Sequence, residues 1–307
     1  LNITTGCIGS SVPLNVTITP AGVRVSGIYN YFNIAQTPLN GLTLNLKSGT
    51  TTIATTTTNV AGYYEFNGVQ TGTYTIAAST TKLEGGYSPL DAGAVNNWWA
   101  YPSGDSPIER VNYDAANANG SADVNSTDAG LINLHFVNSS ATFVKTWTFW
   151  PQGDISSLNP PSTTESFMVS TSNITRNYFG LCVGDFNGSY IPPSSGKSGD
   201  LISSLKLDYN GTCQAGADEM IELPVRVSTN LQVGALGLIM NFPADLATIE
   251  DVRLKDGYGD VEGSLLYHVN GSELRIGWYG ESPLILNESE PLVIITLWRK
   301  RFFLLIA

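Results

Sequence analysis

Asn117-Ala-Asn119-Gly-Ser121-Ala-Asp123-Val-Asn125-Ser-Thr-Asp128 runs directly into Ala129-Gly-Leu131-Ile132-Asn-Leu134-His-Phe136-Val137. Oxygen-bearing residues stand at loop positions 1, 3, 5, 7, 9 and 12, the spacing with which a twelve-residue loop surrounds a hard cation such as Ca²⁺. Asn117, Asn119, Ser121, the Asp123 carbonyl, Asn125 and Asp128 are the candidate ligands. Leu131, Leu134 and Phe136 then give a partial helical face. The loop departs from the general rule at Asn117, where Asp is usual, and at Ala122, where Gly is expected. A ligand set this poor in charge places affinity at about 10⁻⁴ to 10⁻³ M. Asp114, three residues upstream, is a further oxygen within reach of a distorted loop. The plain alternative is a polar loop in a chain rich in Asn and Ser.

Around this stretch the chain reads as β structure. It has 307 residues, a net charge of −11 and only 13% charged residues. That length suggests two or three domains. No basic patch is long enough to follow a phosphate backbone, so nucleic acid is not an expected partner. Abundant Ser, Thr, Asn and Gly with short β-branched runs give the look of an all-β, secreted or cell-surface chain. No run of about 20 apolar residues is present, so no membrane span is expected. The chain opens on Leu1 in the manner of a mature form or a fragment. Of three cysteines, Cys182 and Cys213 are the nearer pair and the expected disulfide, which leaves Cys7 over.

Residues 1–22 hold one alternating segment, Leu14-Asn-Val16-Thr-Ile18-Thr, between Pro13 and Pro20. Residues 23–80 carry four strand-like runs: Val23-Arg-Val25, Leu42-Thr-Leu44-Asn-Leu46, Tyr63-Tyr-Glu-Phe66 and Tyr74-Thr-Ile76. Asn40-Gly41, Ala61-Gly62 and Thr71-Gly72 mark turns between them. The series Val25-Ser-Gly27, Pro38-Leu-Asn-Gly41, Gly62-Tyr-Tyr-Glu-Phe66-Asn-Gly68 and Gly72-Thr-Tyr74 resembles the carboxypeptidase-regulatory-like and Cna-B-like family. The resemblance implies a small Greek-key sandwich used as a stalk or spacer.

Residues 81–199 contain a repeat: Leu90-Asp91-Ala92-Gly93 parallels Thr127-Asp128-Ala129-Gly130. A calcium loop feeding one helix, twice, with Asp at the last position, resembles the dockerin repeat. Counting back from Asp91 puts Thr80, Lys82 and Glu84 at positions 1, 3 and 5. Lys82 sets a positive charge where the ion belongs, so this loop reads as a fold element without an ion. Trp98 and Trp99 read as packing between helices, with sugar stacking as the alternative. Phe143-Val-Lys-Thr-Trp147-Thr-Phe149-Trp150 alternates as a strand. Gly184-Asp185-Phe-Asn187-Gly-Ser189 has the first half of a calcium loop, with Asp185, Asn187 and Ser189 as candidate ligands. Pro192 and Pro193 block a following helix, so the segment either binds a second ion or only turns.

Residues 200–307 carry Asp218-Glu-Met-Ile221-Glu-Leu223-Pro-Val225-Arg-Val227, Val233-Gly-Ala-Leu236-Gly-Leu238-Ile-Met-Asn-Phe242-Pro, Leu274-Arg-Ile276-Gly-Trp278-Tyr and Pro291-Leu-Val-Ile294-Ile-Thr-Leu297-Trp298. This order resembles cohesin-type domains and implies a jelly-roll sandwich. Phe302 to Ile306 differ from that family's ending. Either they supply the closing strand or the sandwich stops short of it.

His135 and His268 read as structural, and no nucleophile-base pair, carboxylate pair in a cleft or phosphate loop stands out. Catalysis is not expected. Candidate glycosylation positions are Asn2, Asn15, Asn138, Asn173, Asn210, Asn270 and Asn287. The expectation is a mainly β, two-sandwich chain with a small helical calcium-binding insert. It serves as a non-enzymatic fibre subunit joined head to tail, copy to copy, by donation of the strand Leu14, Val16, Ile18. The alternatives are a cohesin–dockerin-type scaffold or adhesin and a carbohydrate-binding module, with glycans as further partners.

Overall fold

The computed structural model describes residues 22–100, 108–156, 165–193, 207–208, 219–255 and 265–300. Cys7, Cys213, the strand Leu14 to Ile18, the tail 301–307 and Asn2, Asn15 and Asn210 lie outside them. The chain is mainly β, with eighteen strands and three short helices among the described residues.

The first sandwich begins with β1 (Val23–Tyr31), β2 (Thr43–Ser48), β3 (Thr51–Thr57), β4 (Tyr63–Val69) and β5 (Gly72–Ser79). Alternation decides the inward faces: Leu44 and Leu46 of β2 and Tyr64, Phe66 and Val69 of β4 are buried, with polar neighbours turned out. β3 lies in the threonine tract. β-branched side chains suit an exposed edge strand, and its burial pattern is exposed or half-exposed throughout.

The sandwich does not end at residue 80. α1 (Pro89–Ala100), β6 (Ile108–Glu109), α2 (Arg110–Ala116) and α3 (Ser126–Val137) follow, and then β7 (Trp147–Pro151), β8 (Ile155–Ser156), β9 (Phe167–Val169), β10 (Ile174–Thr175) and β11 (Tyr178–Cys182) return. β4 pairs antiparallel with one edge of β1; β10 and β11 pair parallel with the other, and β7 extends the sheet beyond β11. The facing sheet runs β3-β2-β5-β9. Parallel pairing demands a long crossover, and the helical region supplies it. β1 is therefore buried along most of its length, and Tyr29 stacks on Tyr178 with ring centroids 4.6 Å apart. Gly27 permits this closeness, because a Cβ there would lie 1.7 Å from the Arg176 carbonyl oxygen.

The second sandwich contains β12 (Leu207–Asp208), β13 (Met220–Val227), β14 (Leu231–Asn241), β15 (Ala247–Leu254), β16 (Leu266–Asn270), β17 (Glu273–Leu286) and β18 (Pro291–Arg299). Its sheets run β12-β13-β18-β15 and β14-β17-β16. Ile276 and Trp278 from β17 meet Leu292, Val293 and Ile295 from β18 in its core.

The helices sit between the sandwiches around their own core of Ala92, Val95, Tyr113, Ala129, Ile132 and Phe143. α1 and α3 lie on β14 and β17. Glycines make the fit close: Gly237 faces Pro89 and Phe136, and Gly277 faces Asn133 and Val137. α2 packs instead on β7 and β11 of the first sandwich.

Candidate metal centre

α3 starts from a capping box. The Asn125 side chain accepts from the Thr127 N–H at 2.8 Å, and Asp128 Oδ2 accepts from the Asn125 N–H at 3.0 Å. Asp128 Oδ1 reaches across the loop to the Asn119 N–H at 3.1 Å, so one fully buried carboxylate closes the loop at both ends. Asn119 Oδ1 accepts from the Ser121 N–H at 2.7 Å, and the Ser121 hydroxyl donates to the Asp123 carbonyl at 2.8 Å. Asn117 Nδ2 donates across the loop to the Ser121 carbonyl at 2.6 Å. Its Oδ1 is buried with no hydrogen-bond partner. Gly120 takes a positive φ of 69° and supplies the turn that Ala122 does not.

Of the six predicted positions, Asn117 and Asp128 are buried, Asn119 and Asn125 half-buried, and Ser121 and Asp123 exposed. Burial pushes the Asp128 carboxyl above its ordinary value, opposed by the N–H groups of Asn119 and Asn125. The oxygen-only donor set, with an orphaned buried amide oxygen, fits a hard cation of the calcium kind. Asp114 takes no part. It accepts from Lys145, Thr148 and Trp150. Burial pushes its carboxyl up, but Lys145 and these bonds outweigh that and hold it below its ordinary value.

The second predicted segment, Asp185, Asn187 and Ser189, folds as a tight turn after β11 with no helix behind it. Asp185 Oδ2 accepts from the Tyr31 hydroxyl at 2.5 Å, and its Oδ1 accepts from the Ser189 N–H at 2.9 Å. The Asn187 N–H donates to Asp91 Oδ1 at 2.9 Å, joining residues 96 apart in the chain. The spacing-based alignment of Asp91 with Thr80, Lys82 and Glu84 is thus corrected. Lys82 Nζ instead donates to Asn40 Oδ1 at 2.9 Å and to the Pro193 carbonyl at 3.1 Å. Asp91 and Asp185 are both fully buried. Burial first, and the charge of Asp185 second, push the Asp91 carboxyl to about 7. Burial likewise raises Asp185. Sequence spacing missed Asp91 as the partner; the repeated Asp-Ala-Gly at a helix start was the available signal.

Among the described residues no three His, Cys, Asp or Glu side chains converge; the two segments offer amides, hydroxyls and carbonyls around one or two carboxylates. His135 is packed between Tyr87 and Phe143, and its Nδ1 meets the Ala141 carbonyl. His268 sits in β16 opposite Arg275. Cys182 carries a free, buried thiol, pushed above its ordinary value by burial; its expected partner Cys213 lies outside the described residues. Trp98 packs on Tyr113 and Phe186, and Trp150 lies under Arg110. Of the three tryptophans that would form a sugar platform, Trp99 is the exposed one. Asn173, Asn270 and Asn287 are exposed and Asn138 is half-buried.

The family described as BOS complex subunit NOMO1-like, second beta sandwich domain, matches residues 20–86. A comparison with curated proteins found no match. Among solved structures, the chain is similar to the major pilin SpaA of Corynebacterium diphtheriae, at 9% identity and a TM-score of 0.22. That similarity covers 90% of this chain and 58% of the pilin chain. At that score it carries no argument about arrangement or function. No helix of the described residues is long and apolar enough to cross a membrane.

Proposed function

We propose that the chain is a non-enzymatic structural subunit of a surface or secreted fibre, two β-sandwiches held by a helical pair that calcium braces. The observation that carries this reading is the placement of the candidate cation loops. Asp128 and Asp91 stand in the first turns of α3 and α1, and those two helices rest on the second sandwich. Asp185 is tied by Tyr31 to β1 of the first. A cation in this position stiffens a joint, which is what a load-bearing rod requires.

The subunits join head to tail, with residues 1–20 of one copy adding as a strand to the second sandwich of the next. Leu14, Val16 and Ile18 supply an alternating donor strand. In the second sandwich β12 pairs with Arg226 and Val227 at the end of β13. A sheet edge can template strand addition, and a heterologous contact whose rotation does not close builds a filament. The scaffold alternative is less favoured, because α1 and α3 already cover β14 and β17. Microscopy of the purified chain with calcium tests the reading: filaments are expected, and single particles at every concentration contradict assembly.

A further inference from the structure

We propose that the Gly86 carbonyl, Ser88 and Asp91 complete the Asp185-Asn187-Ser189 half-loop, so that one calcium site is assembled from two distant chain segments. This rests on the calcium reading above and names the ligands that reading lacks.

The two loops share four hydrogen bonds and a glycine turn; at position 9 the Ser88 hydroxyl donates to Asp91 Oδ2, where the Asn125 side chain accepts from the Thr127 N–H. At the third position, the Asn119 N–H donates to Asp128 Oδ1 at 3.1 Å and the Asn187 N–H to Asp91 Oδ1 at 2.9 Å. Asn119 Oδ1 accepts from the Ser121 N–H at 2.7 Å, and Asn187 Oδ1 accepts from the Ser189 N–H at 2.8 Å. Gly120 and Gly188, each one residue further on, have φ of 69° and 64°. The Ser121 hydroxyl donates to the carbonyl five residues before Asp128; the Ser189 hydroxyl donates, at 3.4 Å, to that of Gly86, five residues before Asp91. The helix starts agree too: the Asp128 N–H donates to the Asn125 carbonyl and the Asp91 N–H to the Ser88 carbonyl, each at 3.0 Å. The chain thus builds the same six-position shell twice, once contiguously and once with positions 1, 3 and 5 from residues 185–189 and positions 7, 9 and 12 from residues 86–91.

The split site holds more charge than the contiguous one. Asp185 stands where the other loop has Asn117, so the six positions here include two fully buried carboxylates. Among the described residues neither forms an ion pair. Two buried like charges without a counter-ion are costly, and a divalent cation between them removes that cost. Gly86 is shaped for it: a Cβ there would lie 2.5 Å from Asp185 Cγ, so only glycine lets the position-7 carbonyl approach the position-1 carboxylate. The Ser189 N–H and hydroxyl both donate to Asp185 Oδ1, at 2.9 and 3.3 Å, which holds that carboxylate oxygen beside the Gly86 carbonyl. The higher carboxylate count makes this the tighter of the two sites.

Calcium titration of the full chain by calorimetry tests the assignment. The unaltered chain should bind two ions, Asp91→Ala one, Asp128→Ala one and the double variant none. Asp91→Asn keeps the acceptor for the Asn187 N–H; its melting in chelator should match the unaltered chain while the tighter site weakens by about tenfold or more. A single site lost with Asp128→Ala and unchanged in both Asp91 variants overturns the split loop and leaves the contiguous site standing. Two sites retained in Asp91→Ala also overturn it. No binding by the unaltered chain overturns the calcium reading as a whole.

Discussion

Asp128 shows how much one side chain can carry. It caps α3, bridges to Asn119 and closes the loop, all without solvent contact. Asp128→Ala should lose about 1 kcal/mol or more in chelator through the lost bond to the Asn125 N–H alone. It should also lose the calcium-dependent rise in melting temperature that the unaltered chain shows. Identical responses to chelator in both proteins contradict the site. Asp114 is the contrasting case, a carboxylate held below its ordinary value by Lys145, Thr148 and Trp150 despite burial. A depressed carboxylate stabilises the fold above the unfolded carboxylate range and loses that contribution as pH falls below about 4. Asp114→Asn should therefore melt lower near neutral pH, by about 1–3 kcal/mol of lost hydrogen bonding, with the gap closing on acidification. A gap that holds constant down to pH 3 contradicts this role. Spacing exposed Asp128 because all of its loop is contiguous. Asp91 was legible as a repeat, but its partner Asn187 lies 96 residues away, where no local spacing reaches.

At the scale of elements, strand-like runs marked β2, β4, β13, β17 and β18, and in β2 and β4 one buried face imposes period two. It did not reveal β3, whose polar β-branched residues bury nothing, nor the parallel pairing of β10 and β11 with β1. Those pairings depend on where the helical crossover returns the chain. Gly27 is the residue on which that return turns. Gly27→Ala should cost at least about 2 kcal/mol, because the Arg176 carbonyl has no room for a methyl group. A melting temperature unchanged in Gly27→Ala contradicts the close approach of β1 to residue 176. Gly277 plays the same part at the helix–sheet contact, where a Cβ would lie 2.3 Å from Asn133 Oδ1. Gly277→Leu should leave calcium binding at the loops in place while making the linkage between helices and second sandwich sensitive to protease. Equal protease resistance in the two proteins contradicts a tight contact.

For the whole molecule, two sandwiches pack on a helical joint whose buried carboxylates Asp91, Asp128 and Asp185 are candidate cation ligands. Composition alone pointed to a mainly β chain without nucleic-acid chemistry, but the joint emerged only from contacts distant in sequence. The proposed fibre rests on strand donation by residues 1–20 to the second sandwich of the next copy, and deleting that segment separates assembly from folding. Negative-stain microscopy of the full chain and of the chain lacking residues 1–20, both with calcium, is the direct measurement. The account predicts filaments from the full chain and single folded particles from the shortened one. Filaments of the same form from both, or single particles from both, contradict it.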